Sequence, residues 1–133
     1  MKTILILTLL MNFSSFANPT EGKRMAKCPD KPNCVSSLEV VSDDHYIEPL
    51  PSRELILQEV KKYIEDHDSW KILEEDENYI HATHTSSLFK FVDDIEFIVI
   101  EDKLHFRSAS RKGYYDFGAN RSRIEKIKKA LAK

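Results

Sequence analysis

IEFIVIEDKLHFRSAS, residues 95–110, decides how this chain folds. Its first six residues are apolar at every position but Glu96. That is the pattern of a strand buried on both faces, so the run belongs in the middle of a sheet. Residues 101–103 make a tight connection. In LHFRSAS after it, Leu104 and Phe106 share one face, while His105 and Arg107 share the other. The two runs read as hairpin neighbours.

The chain on either side fits the same sheet. WKILEE (70–75) and YIHATHTS (79–86) read as strands around a turn at residues 76–78, and SLFKFVDD (87–94) as a loop or short extended piece. Upstream, Ile56, Val60, Tyr63 and Ile64 recur at helical spacing, which predicts a helix over 52–66 with Ser52 as its N-cap. Downstream, Ile124, Ile127 and Leu131 form one stripe of a final helix reaching about Ala132. Helix, about four strands, helix is an α+β order with an antiparallel sheet. Both helices should cover its apolar face, leaving a partly wet face that suits Thr83 and Thr85.

The N-terminus reads differently. MKTILILTLLMNFSSFA has one lysine, an apolar run and then small residues, which is the pattern of a cleaved signal peptide over residues 1–17. The run is shorter than the roughly 20 residues a bilayer span needs. We expect an exported protein, periplasmic or secreted, with residues 18–27 as a flexible leader and 28–133 as a single domain. No stable membrane span should remain after cleavage. A formal net charge of −2 argues against nonspecific nucleic-acid binding, which rests on neutralising phosphates.

Candidate chemistry is sparse. Cys28 and Cys34 are the only cysteines. In an exported protein such a pair reads as a disulfide, while C-x5-C is neither a redox C-x-x-C motif nor a complete metal site. CPDKPNCVSS (28–37) carries two prolines and reads as irregular, as does most of 35–51. His81 and His84 are three apart, so on a strand they face opposite ways and make a poor metal pair. No metal, cofactor or catalytic residue is expected.

Asp93 and Asp94 also face opposite ways when extended, with Arg107 or Arg111 as partners for one of them across the hairpin. Gly113 and Gly118 bracket YYDF and mark a loop of demanding geometry. Ser122 and Glu125 fit an S-x-x-E capping box, with Asn120 as the alternative cap. Arg121 and Arg123 at the helix start oppose its dipole and call for a negative partner. That partner is internal (Asp116, Asp93 or Asp94) or a bound anion.

Three segments together resemble the domain-of-unknown-function family numbered 1499. They are CPDKPNCVSS, FVDD (91–94) and RSASRKGYYDFGANRSRI (107–124). The resemblance implies a small domain often sent across a membrane, with no established reaction or cofactor, and it associates the Asp-Asp piece with the arginine-rich piece. Tyr114 and Tyr115 depart from the polar residues more usual there.

Two functional classes follow. One is a non-enzymatic binding or structural module, its partner a small anionic ligand or a protein, with Arg107, Arg111, Asn120 and Arg121 as ligand contacts. In it Asp93, Asp94, Asp116 and Arg123 are structural ion-pair members. The other is a hydrolase-like enzyme using Asp93 or Asp94 beside Arg111. The first is preferred, because no local catalytic motif such as G-x-S-x-G supports the second.

Overall fold

Because the run at 95–100 is apolar on both faces, it belongs in the middle of the sheet, and the structure places it there. The computed structural model describes residues 23–132, so the expected signal peptide lies outside the described residues. Six strands form one antiparallel sheet: β1 (Cys34–Ser36), β2 (Leu50–Pro51), β3 (Trp70–Glu75), β4 (Tyr79–Thr85), β5 (Val92–Ile100) and β6 (Lys103–Ser110). Their order is β1-β6-β5-β4-β3, with β2 also pairing β6, so β5 is central. Helices α1 (Ile56–Glu65) and α2 (Ala119–Leu131) complete the α+β fold.

Alternation along β5 and β6 sorts the side chains. Ile95, Phe97, Leu104 and Phe106 point to the helical face and are fully buried there with Val60, Ile64, Ile124 and Ile127. Phe97 and Phe106 face each other across the strand pair, rings 6.0 Å apart and edge to face. Burying a side chain of this size contributes about 2–3 kcal/mol, so this layer dominates the fold's stability.

Several expectations are corrected. The strand count is six rather than about four, because Cys34–Ser36 and Leu50–Pro51 pair along the free edge of β6. Asn33 to Leu38 contains no proline, so its N–H groups are free to pair, and Val35 adds to the core. Strand β5 begins at Val92, so the two aspartates lie inside the sheet, not before it. Neither predicted cap holds. Helix α1 starts after Leu55, while the Ser52 N–H donates to the Asp102 carbonyl in the β5–β6 turn.

Residues 24–27, expected within a flexible leader, are instead docked on the sheet. They lie on its face away from the helices. Arg24 pairs with Glu74 and with Asp76, and its guanidinium stacks 4.1 Å from the Tyr79 ring centroid. Met25 is buried and donates its backbone N–H to Glu96 at 2.8 Å. The supposedly wet face is therefore partly covered, and Thr83 is buried.

Cys28 and Cys34 are disulfide-bonded, as expected. The bond packs against Ala109 of β6 on the same outer face. It closes a short loop, for which the chain-entropy account gives about 2 kcal/mol. Replacing both cysteines by serine should lower the unfolding free energy by about 2 kcal/mol in equilibrium urea unfolding, with a lower midpoint and an m-value that does not fall.

Candidate functional site

The antiparallel register sets Asp93 opposite Ser110, Asp94 opposite Ala109 and Glu96 opposite Arg107. Since neighbours on a strand point oppositely, Asp93 goes to the helical face, while Asp94 and Glu96 go to the outer face. Each finds a different arginine.

On the helical face, Asp93 accepts from Arg123 at 2.6 Å, and both side chains are nearly buried. Arg123 also donates to Asn120 Oδ1 at 2.9 Å, Ser108 Oγ at 3.1 Å and His84 Nδ1 at 3.2 Å. Burial, then the Arg123 charge, pushes the His84 pKa down. Asn120 has no solvent exposure. Its amide nitrogen meets the Asn33 carbonyl, Ser110 Oγ and Asp116 Oδ2, and its oxygen also accepts from Ser108 Oγ at 2.7 Å.

The start of α2 follows from this network. Gly118, at φ +75, is the cap residue and makes no side-chain bond. The Asp116 carboxylate accepts the N–H groups of Gly118 at 2.9 Å and Asn120 at 3.0 Å. The expected Ser122 capping box is absent because the helix begins three residues earlier, leaving Ser122 exposed in its first turns. Asn120 does not cap either. The negative group at the helix start is internal, as one of the two sequence readings required.

The outer face holds two further clusters. Asp94 takes a two-pronged ion pair from Arg111, at 2.8 and 2.9 Å, and a hydrogen bond from His81 Nε2 at 2.8 Å. Burial would raise the Asp94 carboxyl, but His81 and Arg111 outweigh it and hold it well below the usual carboxylate range. Glu96 accepts from the Tyr79 hydroxyl at 2.7 Å and from Arg107 at 3.3 Å. Burial, then the bond to Glu96, pushes the Tyr79 hydroxyl well above its ordinary value. Arg107 also donates to the Ala26 carbonyl at 2.7 Å, which fixes the N-terminal segment.

Arg121 points elsewhere. It donates to the Tyr46 and Asp44 carbonyls at 2.8 and 2.7 Å, holding the segment between β1 and β2. His45 beside it contacts Asp43 Oδ1 at 2.7 Å and the Lys31 carbonyl at 2.8 Å, both acceptors. The Lys31 bond, ahead of the Asp43 carboxylate, raises its pKa despite burial.

Of the four expected ligand contacts, Asn120 is buried in the inner network and Arg121 grips backbone. Arg107 and Arg111 face carboxylates. The four do not converge on one site. Asp93 pairs with Arg123 and Asp94 with Arg111, whereas Asp116 makes no ion pair among the described residues and accepts N–H groups at the start of α2. Sequence reading passed over Glu96, Tyr79 and His81 as partners. The signal was available for Glu96, which shares strand parity with Asp94 across from Arg107.

Two depressions adjoin these groups. One of about 340 Å³ lies between residues 30–35, Asp44–His45 and the 114–118 loop. Another of about 220 Å³ is lined by Glu74, Tyr79, His81, Asp94, Glu96 and Arg107. Among the described residues, no group of three or more His, Cys, Asp or Glu side chains is placed to hold a metal ion.

Residues 24–131 match the family model described as "Protein of unknown function (DUF1499)", and the chain belongs to that family. No curated protein and no solved structure matches it.

Asn120→Ala should cost about 3 kcal/mol in equilibrium unfolding, because it strands several buried groups. Ser122→Ala should change stability by less than about 0.5 kcal/mol, since it removes no cap. The His45 pKa is raised, so its contribution is complete below its unfolded value and fades as pH rises through the folded one. His45→Asn should therefore lose more stability at pH 5.5 than at pH 8.5. Asp94 is lowered, so its contribution holds above about pH 4 and fades as pH falls further. Asp94→Asn should flatten the acid limb of the stability profile.

Proposed function

We propose that this chain is an exported, non-catalytic module that works by binding, with its arginine-rich motif as the internal frame. One observation carries the reading. The side-chain donors of the motif are turned onto the protein's own carboxylates and carbonyls. A site that recognises a polar ligand keeps donors or acceptors open for it, whereas here Arg107, Asn120, Arg121 and Arg123 spend theirs on the protein itself. The signal-like N-terminus and the Cys28–Cys34 bond support export, since disulfides persist in oxidising compartments.

The hydrolase-like reading has one feature in its favour: Asp94 lines a depression beside His81. Its chemistry is unfavourable. A general base works best with a pKa near the working pH. Asp94 is held far below that by two donors that its own ionised form attracts. Asp93 is spent on Arg123 on the other side of the sheet.

Thermal shift against inorganic phosphate, sulfate and small carboxylates tests the frame role. A ligand at a hundred times its Kd would stabilise by about 2.7 kcal/mol, a displacement of several degrees. We expect no such shift in the native protein, and a folded Arg111→Ala protein with a slightly lower midpoint. An anion that stabilises the native protein but not Arg111→Ala would restore the motif as a ligand site. Ester or phosphoester hydrolysis abolished by Asp94→Asn would overturn the non-catalytic reading. N-terminal sequencing of the exported protein should begin after Ala17.

A further inference from the structure

Exposed aliphatic residues are spread over the surface, but the exposed phenylalanines and tyrosines are not. Among the described residues, every exposed Phe, Tyr or Trp lies in one of two loops: Phe89 and Phe91 in one, Tyr114, Tyr115 and Phe117 in the other. Leu88 joins them at 79% exposure, and Phe117 reaches 88%. The loops are neighbours. The first ends where β5 begins and the second starts where β6 ends, and the Arg111 N–H bonds the Val92 carbonyl between their roots.

These loops are held in shape while their rings face water. The Ser86 N–H donates to the Phe91 carbonyl at 2.9 Å, and the Phe91 N–H to Ser86 Oγ at 2.9 Å. Phe89 and Phe91 stack at 5.6 Å, and Tyr115 packs edge-on to Phe117 at 4.9 Å. In the second loop, Asp116 is turned inward onto α2. A folded chain keeps so many rings exposed at cost, and clustered exposure of this kind marks an interaction surface.

Charge selects the partner. Lys90 sits between Phe89 and Phe91, and Lys112 lies two residues before Tyr114; both are exposed, and neither makes an ion pair among the described residues. The first loop has no acid, and the only acid of the second is the inward Asp116. Asp30 and Asp44 lie beyond the second loop, across the larger depression, with Lys31 and Arg121 beside them. The chain as a whole is negative, so the positive character is local. Aromatic rings that project from loops, interleaved with lysines on long stems, suit the headgroup layer of a bilayer. There the rings enter the acyl boundary and the lysines reach anionic phosphates.

We infer that the 86–91 and 111–118 loops together dock this domain onto an anionic phospholipid surface. The inference names the partner of the binding module proposed above and rests on that reading. The two can fail separately: hydrolytic turnover would remove the non-catalytic reading, whereas only loss of vesicle binding bears on the docking.

Cosedimentation of the exported protein with vesicles tests it, using phosphatidylcholine alone and phosphatidylcholine with a third phosphatidylglycerol. The protein should pellet with the anionic vesicles, less as salt rises, and weakly or not at all with the zwitterionic ones. Phe89→Ser with Phe117→Asn should weaken binding at least about tenfold while leaving the thermal midpoint within a few degrees. Lys90→Glu with Lys112→Glu, which leaves every ring in place, should abolish the preference for anionic vesicles. No pelleting with either vesicle, or pelleting that both variants retain, overturns the docking surface. So does a native protein that dimerises through these loops in light scattering and leaves vesicles untouched.

Discussion

Asn120 is the joint on which the other contacts depend. From a position without solvent it ties together β6 through Ser108 and Ser110, the segment before β1 through the Asn33 carbonyl, and the loop before α2 through Asp116. A buried amide is costly unless each of its atoms is satisfied. Here its oxygen faces two donors and its nitrogen three acceptors, so geometry at one residue fixes three segments against α2. Arg123, one turn along α2, extends the same network to Asp93 and His84. The helix therefore lies on the sheet in one rotation, with Ile124 and Ile127 directed into the core.

The sheet separates two electrostatic layers. Its helical side holds one nearly buried ion pair, embedded in enough hydrogen bonds to offset its desolvation. Its outer side holds Asp94 with Arg111 and Glu96 with Arg107, and these fasten the N-terminal segment and the root of the 111–118 loop. Breaking the inner pair strands a charge away from water. Breaking the half-exposed Asp94–Arg111 pair costs little, because solvent screens it. The arginine-rich motif is thus four separate anchors radiating from one strand and one helix start.

That arrangement moves attention from the motif to what it supports. The anchors hold β6 and α2 at both ends of residues 111–118, the loop that carries Tyr114, Tyr115 and Phe117 and whose root is bonded to that of the loop with Phe89 and Phe91. The surface with rings still to bury is the loop end of the sheet, not the polar interior.

The sequence by itself determined the α+β class, the central strand, the β5–β6 hairpin and the Cys28–Cys34 pairing. Those rest on local periodicity, short-range spacing and residue count, which a chain carries in one dimension. It also determined that Asp93 and Asp94 must part company, since strand alternation allows nothing else. Which arginine each one meets was decided only in three dimensions, because Arg123 comes from a helix thirty residues downstream and Arg111 from beyond a turn. The caps were misread for the same reason. Ser122 fits a local capping rule, but the inward pull on Asn120 starts the helix earlier and leaves Asp116 to satisfy its first N–H groups. The short edge strands and the docked N-terminal segment were equally out of reach, since their partners lie about fifty to seventy-five residues away and only the folded sheet brings them together.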